Sequence, residues 1–380
     1  MRITEIRGRL LEGRMPAPIR NSVGVIAVRR ALVVELVSES GVSGWGETQE
    51  DPEGAWWLIE KRLGAELADV DAEEEVGPVR EPTTRTEALA RSALDLARWD
   101  LRGRLLGASI AELLGGARRD AVPAYASGPF LAPEGAPYRR MESDAAEIVA
   151  SGFRAIKLRI GVTPQRDVEL LRRLRATLGD GVGIAVDANA GYGRDAAAAL
   201  LRKTQGLGLV WIEEPIDAAD HNGYRALAGL AETPLAAGET LWRLADAVAL
   251  LATGAIGILQ PDLYLCGGIS GMRRLAVLAA RHGVAVLPHV FGTGVNLLAS
   301  LQFAAAMTEA PAPTGPTFPW LEVDRSANPL RQLPIEPALD ADGRIPVPAG
   351  PGIGAAVDPT AFAPYLLRAA RVALDARTPA

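Results

Sequence analysis

Near the N-terminus the apolar positions fall in short, β-branched runs, which is how strands read. Val25-Ile26-Ala27-Val28 and Ala31-Leu32-Val33-Val34-Glu35-Leu36-Val37 flank a predicted turn at Arg29-Arg30, and Ser40-Gly41 closes the second run. Gly44-Trp45-Gly46-Glu47 follows as a third short segment, so an antiparallel meander is expected. The period then lengthens. Ala88, Leu89, Ser92, Ala93, Leu96, Trp99 and Asp100 recur at helical spacing, which predicts helix over roughly residues 84–114. From Val122 onwards short apolar runs alternate with longer amphipathic stretches. The runs are Val122–Tyr125, Phe153–Ile160, Gly183–Val186, Leu209–Ile212, Leu235–Ala237, Ile256–Gln260, Ala285–Pro288 and Thr317–Leu321. Between them Asp167–Leu178, Asp195–Thr204 and Ile269–Arg281 carry helical spacing. Eight strand–helix units predict an α/β fold, a closed parallel (β/α) barrel. Residues 1–116 form a separate α+β segment in this reading, 117–325 the barrel, and 326–380 a closing segment. In that last segment Pro346–Gly354 reads as an extended tail followed by a short terminal helix.

Composition narrows the function. The chain has 380 residues, 48% hydrophobic and 23% charged, so a large core is affordable in sequence terms and disorder is excluded. A net charge of −6 argues against nucleic acid as a partner. It also suits an anionic substrate poorly unless a local cation reverses the field. No run has the length of a signal peptide or a membrane span. A single cysteine, Cys266, permits no intrachain disulfide and fits a cytoplasmic setting; before Gly267-Gly268 it reads as a packing residue.

In a barrel of this kind the chemistry sits where strands end. The ionisable residues at those ends are Lys157 and Arg159, then Asp187 with Asn189, Glu213, Glu239, Asp262, His289 and Glu322. Asp187 to Glu213 and Glu213 to Glu239 are both 26 residues, Glu239 to Asp262 is 23, and Asp262 to His289 is 27. Each step is one strand–helix unit, so the residues converge on one mouth. One such acid alone reads equally well as a solvated loop residue or helix cap. Three converging acids repel one another unless a cation neutralises them. All-oxygen ligation points to Mg²⁺, with Mn²⁺ as the alternative. Asp262, one unit from His289, is placed to fix the tautomer of the ring and raise its basicity. The other two histidines, His221 and His282, read as surface or cap residues. Lys157 and Arg159 share one face of their strand and point to the mouth, where an ion pair with Asp187 or Glu213 is the plainer alternative.

These residues resemble the enolase superfamily, and within it the mandelate-racemase-like acid-sugar dehydratases and galactarolactone cycloisomerases. The likeness runs through Gly44–Glu47, Trp99-Asp100, Val186–Asn189, Ile212–Pro215, Gly238–Thr240, Gln260–Asp262, Pro288–Gly294, Leu321–Arg325 and Asn328-Pro329. It implies a modified (β/α)₈ TIM-type barrel with an N-terminal capping domain completed by the C-terminal tail. It implies Mg²⁺ held by Asp187, Glu213 and Glu239, and a sugar-acid substrate whose α-proton His289 removes, oriented by Asp262. Lys157 and Glu322 would contact the substrate carboxylate. Asn189, Arg20 and Trp320 are expected to line the substrate pocket, Arg20 on a mobile loop of residues 15–25. A homo-oligomer is expected.

Two departures from the family pattern matter. The strand usually carrying Lys-x-Lys reads Lys157-Leu158-Arg159, and arginine stays protonated. With a strong base on one face only, dehydration is favoured over racemisation. Leu263–Cys266 supplies no lysine where lactonising enzymes and dipeptide epimerases carry one. Cycloisomerisation of an aldarolactone, a racemase or epimerase, and a ligand-binding barrel without activity stay open as alternatives.

Overall fold

The computed structural model describes residues 1–374 apart from positions 78, 79, 314 and 336. Two long strands, β1 (Ile3–Arg20) and β2 (Val25–Ser38), pair antiparallel from Ile3↔Ser38 out to Arg20↔Val25. Arg29 and Arg30 lie inside β2, opposite Gly13 and Glu12, so the expected turn between them does not exist. Turn chemistry lies earlier, where the Asn21 side chain accepts from the amides of Val23 and Gly24, both at 3.0 Å. Residues 15–20 are accordingly strand rather than loop. β3 (Ser43–Thr48) pairs with the other side of β2. The two faces of this sheet have different neighbours. Leu32, Val34 and Leu36 pack in a core with α1 (Pro52–Lys61) and α2 (Arg85–Leu106), while Ala31, Val33 and Trp45 join the core shared with the barrel. Gly44 and Gly46 let β3 lie directly on α2. A Cβ at either position would overlap the backbone of Ala97 or Ala93. Thr84 caps α2 through the amide of Glu87, and Gly107, at φ 66°, ends it. The predicted single helix is thus two, α2 and the short α3 (Ile110–Leu113).

The barrel follows in the expected order. Its strands are β4 (Ala121–Ser127), β5 (Ala155–Arg159), β6 (Gly183–Asp187), β7 (Leu209–Glu213), β8 (Leu235–Ala237), β9 (Ile256–Leu259), β10 (Ala285–Val286) and β11 (Leu321–Asp324). The helices between them are α4 (Met141–Ala150), α5 (Pro164–Leu178), α6 (Arg194–Lys203), α7 (His221–Leu227), α8 (Leu244–Leu251), α9 (Gly268–Arg281) and α10 (Gly294–Ala306). Paired strands run β10-β9-β8-β7-β6-β5-β4-β11, with β12 (Arg344–Pro346) antiparallel to β4. The architecture is a modified TIM-type barrel with a capping domain. β11 begins at Leu321, where the apolar run expected as the strand ends. The preceding Phe318 and Trp320 instead fill the barrel floor, packed on Trp211. The terminal element is also a strand: after a 3-10 turn at Pro359–Tyr365, β13 (Leu366–Ala373) pairs antiparallel with β1 and completes the capping sheet. Residues 375–380 of the closing segment lie outside the described residues.

Cap and barrel meet at two helix N-termini, where unpaired amides favour acceptors and negative charge. Asp95 of α2 accepts from the Ser270 amide at 3.0 Å, in the first turn of α9. Glu47 of β3 accepts from the amides of Thr293 and Asn296, at 3.0 and 3.1 Å, at the start of α10. Burial pushes both carboxyls up to about 7.

Candidate active site

Parallel pairing sets the site in a row. Arg159 is in register with Asp187, and Asp187 with Glu213. Beyond the strand ends the backbone turns sharply, with Asn189 at φ 41° and Glu214 at φ 36°, a region few non-glycine residues occupy. Glu239 stands two residues past β8. Each of Asp187, Glu213 and Glu239 offers a carboxylate oxygen, and these oxygens lie within 4.8 Å of one another. Burial, then the charge of Glu213, pushes the Asp187 carboxyl up to about 7. A trio so close is unstable as three bare anions. It fits a hard divalent cation, which prefers oxygen ligands and removes the repulsion.

Two cations underlie the acids. Lys157 Nζ is 2.8 Å from Glu213 and 2.9 Å from Glu322, all three buried. Arg159 pairs with Asp187 at 3.3 Å, reaches the Ser127 hydroxyl at 3.2 Å and lies over the Phe130 ring. Burial opposes the Lys157 charge, but Glu213 and Glu322 outweigh it and push the ammonium above its ordinary range. Both ion pairs weighed from the sequence are thus present.

His289 sits between two carboxylates. Its Nδ1 meets Asp262 at 2.7 Å, and its Nε2 meets Glu239 at 3.1 Å. Asp262 in turn accepts from the Tyr264 amide at 3.0 Å and the Asn296 side-chain amide at 2.8 Å. That leaves one of its oxygens for the ring, whose second nitrogen faces the acid trio. Burial works against a charged ring, but Glu322, Glu239 and Asp262 raise its pKa well above the ordinary value.

A cleft of about 640 Å³ opens above, between cap and barrel, walled by Arg159, Asn189, Glu239, Tyr264 and His289 of the barrel and by Arg14, Arg29 and Gln49 of the cap. The structure does not bring Arg20 or Trp320 to it. On β1 the side chains alternate, so Ile19 and Asn21 line the cleft while Arg20 points to solvent. Trp320 precedes β11 and lies at the opposite end of the barrel, packed on Trp211. Lys157 and Glu322 have no exposed surface and lie beneath the cleft wall. His221 begins α7 and His282 caps α9, both away from the cleft. Sequence reasoning missed Arg29, Gln49 and Asn296. The period-2 pattern held a signal for the first, since Arg29 shares a strand face with Ala31 and Val33.

The chain matches the mandelate racemase/muconate lactonizing enzyme N-terminal domain over residues 6–115 and the enolase C-terminal domain-like model over residues 140–361. It is 35% identical to the D-galactarolactone cycloisomerase of Agrobacterium fabrum over 373 residues, 96% of this chain and 99% of that one. A solved enolase-superfamily structure from Polaromonas sp. JS666 superposes with a TM-score of 0.86 at 31% identity, covering 97% of this chain and 98% of that one. The L-talarate/galactarate dehydratase of Salmonella typhimurium LT2, solved with Mg and L-lyxarohydroxamate, superposes with a TM-score of 0.84 at 27% identity, covering 98% and 94%. Among the described residues no helix is long and apolar enough to cross a membrane.

Proposed function

The chain belongs to the mandelate racemase/muconate lactonizing enzyme family of the enolase superfamily, and on that premise we propose that it removes the proton α to the carboxylate of a sugar acid and then eliminates a β-oxygen, most simply as water. The observation carrying this reading is the single base beside the acid trio: His289, clamped by Asp262, with Nε2 facing Glu239. Residues 1–116 would shape the cleft and residues 117–325 the chemistry, with the closing segment tying them together. Asp187, Glu213 and Glu239 would hold Mg²⁺, or Mn²⁺ in its place. When bound, such a cation stabilises negative charge developing on the substrate carboxylate.

The chain's own residues do the rest. His289 takes the α-proton at Nε2, and Asp262 at Nδ1 steadies the imidazolium that results. The same Nε2–H then lies on the correct face to protonate a leaving hydroxyl, so one group serves both steps. Arg159 remains charged, since its guanidinium is pushed upwards: burial opposes this, but Asp187 prevails. It supplies positive charge rather than a second base, and inversion at the α-carbon has no partner on the far face. Lys157 and Glu322 brace Glu213 and His289 from below.

A second reading shares the first step. Cycloisomerisation of an aldarolactone expels a ring oxygen in place of water, and the near full-length likeness to a D-galactarolactone cycloisomerase favours it. Incubation with Mg²⁺ and a panel of aldonates, aldarates and aldarolactones in D₂O separates the two. Products lighter by one water support dehydration, and isomers of the lactones support the second reading. Deuterium entering the α-position with full loss of configuration would sink the one-base mechanism.

A further inference from the structure

The capping sheet contributes a buried cation that has no ion-pair partner among the described residues. Arg29 is only 8% exposed, and no carboxylate comes within ion-pair distance of it among the described residues. Its bonds within the protein both leave from Nη2, to Gln49 Oε1 at 2.9 Å and to the Phe291 carbonyl. The guanidinium carbon lies over the Phe291 ring, 3.8 Å from its centre. Nε and Nη1 make no hydrogen bond to the described residues. Beside it Gln49 is 6% exposed, and its buried Nε2 has no hydrogen-bond partner among the described residues. Both residues line the cleft that holds His289 and Glu239.

Of the other cations on the cleft wall, Arg14 is exposed to solvent, and the remaining two are matched. Arg30 is paired with Glu12 at 2.7 Å, and Arg159 with Asp187. Of the cap carboxylates, Glu50 is taken by Arg85 at 2.7 Å and by the Tyr264 hydroxyl, and Glu47 by the amides of Thr293 and Asn296. A buried, unpaired guanidinium costs free energy unless an anion completes it, and a planar fork of donors matches a carboxylate. Two positions on the chain aim it. β2 alternation turns Arg29 to the same face as Ala31 and Val33, and contact with the Phe291 ring holds its head group over the cleft.

We propose that Arg29, with Gln49 beside it, is a binding site for a second carboxylate, and that the substrate is therefore a dicarboxylic sugar acid or its monolactone. This rests on the sugar-acid reading above and narrows it. One carboxylate faces the acid trio and its cation. The other is received at the cap, so the cap measures both the length of the substrate and the charge at its far end. The net charge of the chain then ceases to be a difficulty, because each end of the dianion meets a local positive charge.

The test compares galactarate with galactonate, acids of equal length that differ in one terminal group. Binding is measured by calorimetry on the His289→Asn protein loaded with Mg²⁺, which prevents turnover. Galactarate is expected to bind roughly 10- to 100-fold more tightly, the range for a charge-assisted hydrogen bond. Adding Arg29→Met should erase that preference, weakening galactarate far more than galactonate. Equal affinity for the two acids overturns the proposal without any substitution at Arg29, so a misfolded variant cannot shield it. Equal weakening of both acids by Arg29→Met overturns it too. Should Mg²⁺ bind but neither acid do so, the sugar-acid reading falls, and this inference with it.

Discussion

His289 has two nitrogens and two carboxylates, and the division between them decides what the ring can do. Asp262 holds Nδ1 at 2.7 Å, so proton transfer is left to Nε2. Replacing Asp262 by Asn should reduce turnover by about 10²- to 10⁴-fold, because the amide no longer fixes the tautomer or stabilises the charged ring. His289→Asn should also abolish deuterium exchange at the α-carbon; exchange at the unaltered rate would remove His289 from the mechanism. The acid trio makes its own prediction. Mg²⁺ at about 100 times its dissociation constant should add about 3 kcal/mol and raise the melting temperature by a few degrees. Glu239→Gln should remove most of that shift, and an identical melting curve in EDTA and Mg²⁺ would mean the trio holds no ion. The trio was legible because one strand–helix unit repeats in both sequence and space, so equal spacing became a shared mouth. Arg29 was not. Adjacent arginines between two apolar runs imitate a break, and only pairing with Gly13 shows that the strand continues. Trp320 misled for a related reason, since apolar residues near a strand end fill the barrel floor as readily as they line a pocket.

Among the elements, β3 shows how one short strand serves two layers. Its glycines face α2, and Trp45 and Glu47 face the barrel. Gly46→Ala should cost about 1–3 kcal/mol, the range for overpacking, since the added methyl meets the backbone of α2. Chemical denaturation checks this, and an unchanged midpoint would mean that strand and helix yield freely. Glu47 carries a pH signature. Burial raises its folded pKa to about 7 from the ordinary 4.5. Between those values the native state holds more protons than the unfolded one. Stability from this group is therefore greatest below pH 4.5 and falls as pH rises through 7, by at most about 3 kcal/mol. Glu47→Gln should flatten that decline between pH 5 and 8, and parallel thermal profiles for the two proteins would contradict it. The barrel strands were readable as apolar runs because both their faces are buried. β1 escaped notice because charged residues such as Glu5, Arg7 and Arg9 interrupt it and sit at partly solvated positions of a sheet. β13, largely exposed, lacks apolar alternation for the same reason.

At the scale of the whole molecule, the capping sheet joins the two ends of the described chain. β13 covers the outer edge of β1 from Glu5↔Ala373 to Leu11↔Leu366. Deleting residues 366–380 should lower the melting temperature and promote aggregation, because a long strand edge is left open. Light scattering on heating reads this, and a truncated protein as stable and monodisperse as the full chain would show that β13 is dispensable. The cap–barrel division was foreseeable from the change of period after the first helix, but this closure was not, since nothing local marks which strand a distant segment will join. It also sets a timetable for synthesis. β1 leaves the ribosome before the barrel and its neighbour β13 after it, with the entire barrel translated between them. The N-terminal hairpin must therefore persist with a bare edge while more than three hundred residues are added. During that interval the chain is most exposed to mispairing with its own kind, and it is there that a chaperone would have the most to shield.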